Sequence, residues 1–230
     1  MGRDYGQYCG LARALEVVGD RWNLLIVREL LIKPARYGEL REGLSSIATN
    51  LLTVRLRDLE AAGVIERRLS DDSNAIIYAL TPWGAQLREP INGLIRWSTP
   101  LMICGPQGDE FRADGLFVAL PALFAGRVPA QPGVSVAVVV DAVMVQLHAT
   151  ASGVEVSEPD GRDLAAVLTA EGALILGLSA GALALDDVRA IVDIDGDESA
   201  LRNFFEAPHS AAEFTGVNST VAHPPPVEES

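Results

Sequence analysis

Cysteine is scarce in this chain: Cys9 and Cys104 are its whole complement. Two are too few for a disulfide framework and fit a reducing compartment. Histidine is nearly as rare. His148, His209 and His223 are scattered, and no Cys/His spacing suits zinc. Asp193, Asp195 and Asp197 alternate, but without the downstream glutamate of a calcium loop, so a solvated strand edge explains them and no metal is expected. No apolar run approaches the ~18 residues of a membrane span. Residues 1–7 contain no apolar signal core, so a soluble, cytoplasmic protein is expected. Phosphate-binding glycine loops and nucleophile elbows are missing as well. Reactive groups are gathered nowhere, which excludes an enzyme and any cofactor from the expectations.

Positive charge is the other shortage. The net charge is −13, which at first argues against nucleic acid. The deficit is uneven: residues 1–104 hold 13 Lys/Arg against 12 Asp/Glu, and residues 105–230 hold 5 against 19. Phosphate contacts act locally, so the near-neutral first half remains compatible with DNA, with weak nonspecific affinity. What the chain does have is apolar mass, 49% of 230 residues, enough for one large domain or two ordinary ones.

Residues 47–80 organise the chain. From Ala48, the residues Leu52, Leu56 and Leu59 recur at helical steps and predict one buried stripe. Thr49, Asn50, Thr53 and Arg57 fall within a neighbouring arc about 100° wide. Gly63 closes the helix as a left-handed cap. Two short strands follow, residues 64–69 and 75–80, separated by a polar turn at 70–74. Such a helix with a hairpin behind it is a winged helix-turn-helix, and its polar face suits the major groove. Taken alone, the same four side chains also fit the solvated side of a packing helix.

The surrounding elements agree. Residues 11–18 predict a first helix with Leu11, Leu15 and Val18 on one face. Asp20 is placed to cap a second at 22–32, stopped by Pro34. A third spans 37–44 with Leu40 and Leu44 inward. Thr81-Pro82 starts a long trailing helix carrying Leu87, Ile91, Leu94, Ile95 and Leu101 along one side.

Cys9, Leu15–Val18-Gly19-Asp20-Arg21-Trp22, Ile47-Ala48-Thr49-Asn50-Leu51-Leu52, Arg55 through Ile65, and Tyr78-Ala79-Leu80-Thr81-Pro82-Trp83-Gly84 together resemble the HxlR family of bacterial transcription regulators over about residues 5–104. The resemblance implies a homodimer joined through its first and last helices on a palindromic double-stranded operator. Arg36 and Tyr37 would then meet phosphates beside the amides of a helix start. Arg55 fits a structural ion pair as well as a phosphate. Asp71 and Asp72 oppose a wing entering the minor groove, although Arg67 and Arg68 could reach the backbone. In some relatives a cysteine in the place of Cys9 reacts with oxidants or electrophiles. Arg13 and the dipole of the following helix would favour its thiolate, whereas an ordinary thiol is the plain alternative.

Residues 105–109 break the helix and mark a linker to about 114. An apolar helix follows at 114–127, with Pro121 inside it. Val136, Val138 and Val140, then Val145 and Leu147, alternate in an antiparallel meander with a third strand near Val154 and Val156. A strand at 164–168, a helix at 171–179, a short helix at 186–187, a strand at 190–194 and a final helix to 206 complete the unit. Thr169-Ala170-Glu171, Leu178-Ser179-Ala180-Gly181, Leu185-Asp186-Asp187-Val188 and Gly196 through Leu201 resemble the sterol-carrier-protein fold over about 115–206. That fold implies an apolar tunnel, here lined by Phe117, Phe124, Val136, Val138, Val145 and Leu147, for an apolar small molecule or lipid. A core filled by its own side chains reads identically in sequence. From 207 the composition predicts a flexible tail. The fold class expected is α+β: a winged helix domain at 1–104, then a sterol-carrier-like α/β domain with an antiparallel sheet. The function expected is a regulator gated by an apolar ligand. The competing class is a ligand carrier or assembly protein whose winged helix makes protein contacts.

Overall fold

The leucine spacing of the first hundred residues closes around a small helical core. In order come α1 (Gly10–Val18), α2 (Asn23–Ile32), α3 (Tyr37–Gly43), α4 (Thr49–Ala61), the hairpin strands β1 (Ile65–Ser70) and β2 (Ser73–Leu80), α5 (Pro82–Ala85) and α6 (Arg88–Ser98). This computed structural model describes residues 5–70, 73–102, 105 and 107–208. Asp71 and Asp72 of the wing turn, Cys104, His209, His223 and residues 209–230 of the expected tail lie outside the described residues. Leu52, Leu56 and Leu59 are buried with Ile26, Leu40 and Ile65 in one cluster, so the predicted stripe of α4 faces inward. Beyond α4, the Val64 N–H donates to the Leu59 carbonyl at 2.9 Å and the Gly63 N–H to that of Glu60 at 3.0 Å. Gly63 has φ +76°, the left-handed closure that glycine adopts without steric cost. Thr81 caps α5, accepting the Gly84 N–H at 3.0 Å, with Pro82 in the first turn.

Two expectations for this half need correction. Asp20 does not cap α2; Trp22 holds the capping position, and the Asp20 carboxylate instead pairs with Arg55 at 2.7 Å. The long trailing helix is two helices, and α6 gives way to a tight turn at Thr99–Met102, where Pro100 cannot extend an α-helix. The apolar faces of the first and last helices are only partly inward. Val18 and Ile91 are buried, but Leu11, Leu15, Leu94 and Leu101 are exposed on the single chain.

The second half is built on a five-stranded sheet. The strands β3 (Ser135–Val140), β4 (Val143–Thr150), β5 (Gly153–Ser157), β6 (Ala166–Thr169) and β7 (Asp193–Gly196) lie in the order β5-β4-β3-β6-β7. The helices are α7 (Leu116–Phe124), α8 (Gly172–Ser179), α9 (Leu185–Val188) and α10 (Glu198–Phe205). The sheet is mixed, not antiparallel throughout, because β6 pairs parallel to β3. A parallel neighbour requires a crossover, here residues 158–165. The Gln146 side chain donates to Asp160 at 2.8 Å from the face opposite Val145 and Leu147, so the crossover runs over the outer side of the sheet. The strand expected at 190–194 begins later, at Asp193. No described helix is long and apolar enough to cross a membrane.

The two cores meet at α7. Leu116, Leu120 and Phe124 enter the sheet-side cluster, while Val118 enters the cluster of the first half. Beside it, Arg112 donates to the Glu29 carboxylate at 2.9 Å and also pairs with Asp114. Glu29 is buried and receives Arg28 on its other oxygen at 2.6 Å. Gly43, at the end of α3, leaves the space that this pair occupies; a Cβ there would collide with both Arg112 and Glu29.

Candidate nucleic-acid interface

Helix α4 shows solvent a short polar face. Thr49, Asn50 and Arg57 are exposed, and Thr53 is half-buried. The Thr53 hydroxyl turns back to the Thr49 carbonyl at 3.0 Å, and Tyr37 reaches across from α3 to donate to the same carbonyl at 2.9 Å. Tyr37 therefore fixes the first turn of α4 against α3. Asn50 Oδ1 accepts the Leu51 N–H at 2.9 Å, satisfying one of the orphan amides that Ala48, with no side-chain acceptor, leaves open. Its Nδ2 remains the outward donor. Arg57 forms no ion pair with any described carboxylate.

The remaining sequence-derived residues divide. Arg36 is exposed at the start of α3, but Glu39 folds back onto the Arg36 N–H at 2.6 Å. That carboxylate occupies the helix end whose amides were expected to assist a phosphate. Arg55 donates to Asp20 and Asp58, tying α4 to the α1–α2 turn, the structural role. Arg67 and Arg68 are neighbours on one strand and so project to opposite faces. Arg67 Nε donates to Glu60 at 2.8 Å, which raises its already high pKa; Arg68 is exposed without such a partner among the described residues. The wing is tied inward where Ala35 and Tyr78 exchange backbone hydrogen bonds of 3.0 and 2.8 Å.

Comparison with known proteins agrees with this geometry. The family described as HxlR-like helix-turn-helix matches residues 17–103. The regulator YodB of Bacillus subtilis is 31% identical over 86 residues, a span covering 37% of this chain and 77% of YodB. The chain belongs to the HxlR-like helix-turn-helix family. Rv3095 of Mycobacterium tuberculosis, an uncharacterized HTH-type transcriptional regulator, is 40% identical over 88 residues, 38% of this chain and 55% of that protein's length. The crystal structure of quinone-bound YodB aligns at 30% identity with a TM-score of 0.35, covering 39% of this chain and 96% of that one.

Cys9 precedes the residues that match the family, in the capping position of α1, fully solvent-facing. The backbone amides of Ala12 and then Leu11 hold its thiol below the usual range. Arg13 donates to Glu16 at 2.9 Å, and the lowered thiol pKa traces to those amides. Beyond the HxlR-like unit, Phe124, Val136, Val138, Val145 and Leu147 lie in the closed core of the second half. Of the six expected pocket residues, Phe117 lines a cleft at the seam with the HxlR-like unit. Two cleft residues, Lys33 and Arg88, carry no motif and are far apart in sequence, so only the fold brings them together.

Proposed function

We propose that this protein is a homodimeric transcription regulator that lays α4 in the major groove of a palindromic operator. The observation that carries the reading is the two-sidedness of α4: Thr49, Asn50 and Arg57 face solvent while Leu52, Leu56 and Leu59 are buried. Hydroxyl, amide and guanidinium groups on such a face can read base edges. Arg36 and Arg68 supply phosphate contacts, and Tyr37 and Thr53 act mainly by holding the first turn of α4. Arg67 must leave Glu60 to join them. Dimerisation uses the apolar residues left exposed on α1 and along α6 and the following turn: Leu11, Leu15, Leu94, Trp97 and Leu101. Their burial at about 25 cal/mol per Å2 would favour association.

The domain plan that goes with this reading is a winged helix unit at 1–104, a linker at 105–114 and a sterol-carrier-like domain at 115–206. Helices stacked on one face of a five-stranded sheet support the sterol-carrier comparison. An apolar effector gates the dimer, and Cys9 gives a second, oxidant- or electrophile-sensitive input, supported by its exposure and amide-stabilised thiolate.

Fluorescence anisotropy on DNA from the chain's own upstream region, repeated across salt, tests the reading. Asn50→Ala and Arg57→Ala should each cost about 1–3 kcal/mol of operator affinity if they contact bases. Absence of both binding and salt slope would favour the carrier or assembly reading, to which the strongly acidic second half lends support.

A further inference from the structure

The seam between the two cores opens into a cleft of about 490 Å3, within the ~300–1,000 Å3 typical of small-molecule sites. The apolar part of its lining comes from Leu31 and Ile32 at the end of α2, Phe117 and Pro121 of α7, and Val156 of β5. Its charged groups are Lys33, Arg88 and Glu158. Arg88 donates to the Leu31 carbonyl at 3.3 Å, and neither cation forms an ion pair with Glu158 or any other described carboxylate. Lys33 is the single lysine of the chain. Two cations without a described carboxylate partner, lining one cleft with five apolar side chains, suit an anion with an apolar body. Glu158 in the same slot disfavours a second negative charge on that ligand by like-charge repulsion.

We propose that this cleft binds an apolar monocarboxylate, its chain against Phe117, Pro121 and Val156 and its carboxylate held by Arg88 and Lys33. The site differs from the closed sheet-side core, and it has a mechanical outlet. Lys33 is followed by Ala35, which is bonded to Tyr78 of the wing, and by Tyr37, which holds the first turn of α4. A carboxylate drawing Lys33 inward therefore acts on the segment that positions both the wing and α4. This consequence rests on the DNA-reading proposal; the binding itself does not.

The single lysine provides the assay. Reductive methylation with 13C-formaldehyde keeps its charge and gives one lysine resonance, read on the full-length free protein. Titration with decanoate should move that resonance saturably, in step with calorimetric heat on the unlabelled chain. Arg88→Gln and, by calorimetry, the exposed-site change Lys33→Gln should each weaken decanoate at least tenfold, and decylammonium should not bind. A stationary lysine resonance with saturable heat, native affinity for decanoate in either variant, or equal binding of decylammonium would overturn the proposal. No DNA enters this assay, so the cleft is tested even in a chain that binds no operator. Where operator binding is found, decanoate should change it in the native chain and not in Arg88→Gln; an unchanged operator affinity would overturn the coupling.

Discussion

The two halves of this molecule manage apolar surface in opposite ways. The second half closes on itself: Val136, Val138, Val145, Leu147, Leu168 and Phe204 are fully buried between sheet and helices. The first half buries the inner stripe of α4 but leaves Leu11, Leu15, Leu94 and Trp97 in solvent, Trp97 at 76% exposure. A core that is complete needs no partner, whereas the apolar face left open at the ends of the winged helix is the surface that the proposed dimer would cover. The same contrast holds for charge. Nearly balanced in the first half, it is strongly acidic in the second, so only the first can approach DNA without long-range repulsion.

The contrast can be broken most decisively inside the second core. Phe124→Ala should cost about 3–5 kcal/mol in urea unfolding, because a packed site loses the transfer term and gains a cavity. A change under about 1 kcal/mol would mean that the core already holds a void able to take a ligand, and the halves would no longer differ. Next is the open face of the first half. Trp97→Ala, removed from both subunits at once, should weaken dimerisation by about 2–4 kcal/mol, read as a concentration-dependent mass in light scattering. An unaltered dimer would move the interface elsewhere.

The junction comes third. Arg112→Ala leaves the Glu29 carboxylate buried with Arg28 as its remaining partner, and should lower unfolding stability by about 1–3 kcal/mol. If the halves then melt separately in calorimetry, the pair is what joins them into one cooperative unit. The smallest effect concerns Cys9. In a Cys104→Ser chain, alkylation by iodoacetamide should reach half its maximal rate at a lower pH than for free cysteine, since the Ala12 and Leu11 amides favour the thiolate. A midpoint at or above that of free cysteine would remove the sensing proposal.

Much of the first half was legible because its signals are local. A 3.6-residue leucine period, Gly63 after the last turn of α4 and Thr81-Pro82 before α5 each involve contacts within a few residues, and each took the form expected. Asp20 shows the limit of that logic. Its carboxylate could cap a helix three residues on, but Arg55, 35 positions away, offered an opposite charge. The parallel pairing of β6 escaped for the same reason, since alternation reports which face a residue takes and not which strand lies beside it. Of the residues proposed to meet DNA, spacing placed Thr49, Asn50 and Arg57 on the solvent side of α4 but could not see that Tyr37 and Thr53 hydrogen-bond within the protein.

Periodicity, caps and turn residues alone determined which segments become helix or strand and which stripe of α4 turns inward, because those choices are made by neighbours along the chain. Tertiary structure alone decided that α7 serves two cores, that Arg112 reaches Glu29 past Gly43, and that Lys33 and Arg88 share a cleft. Such pairings are settled by close packing between distant segments, and no local pattern in a chain encodes which of its surfaces will meet.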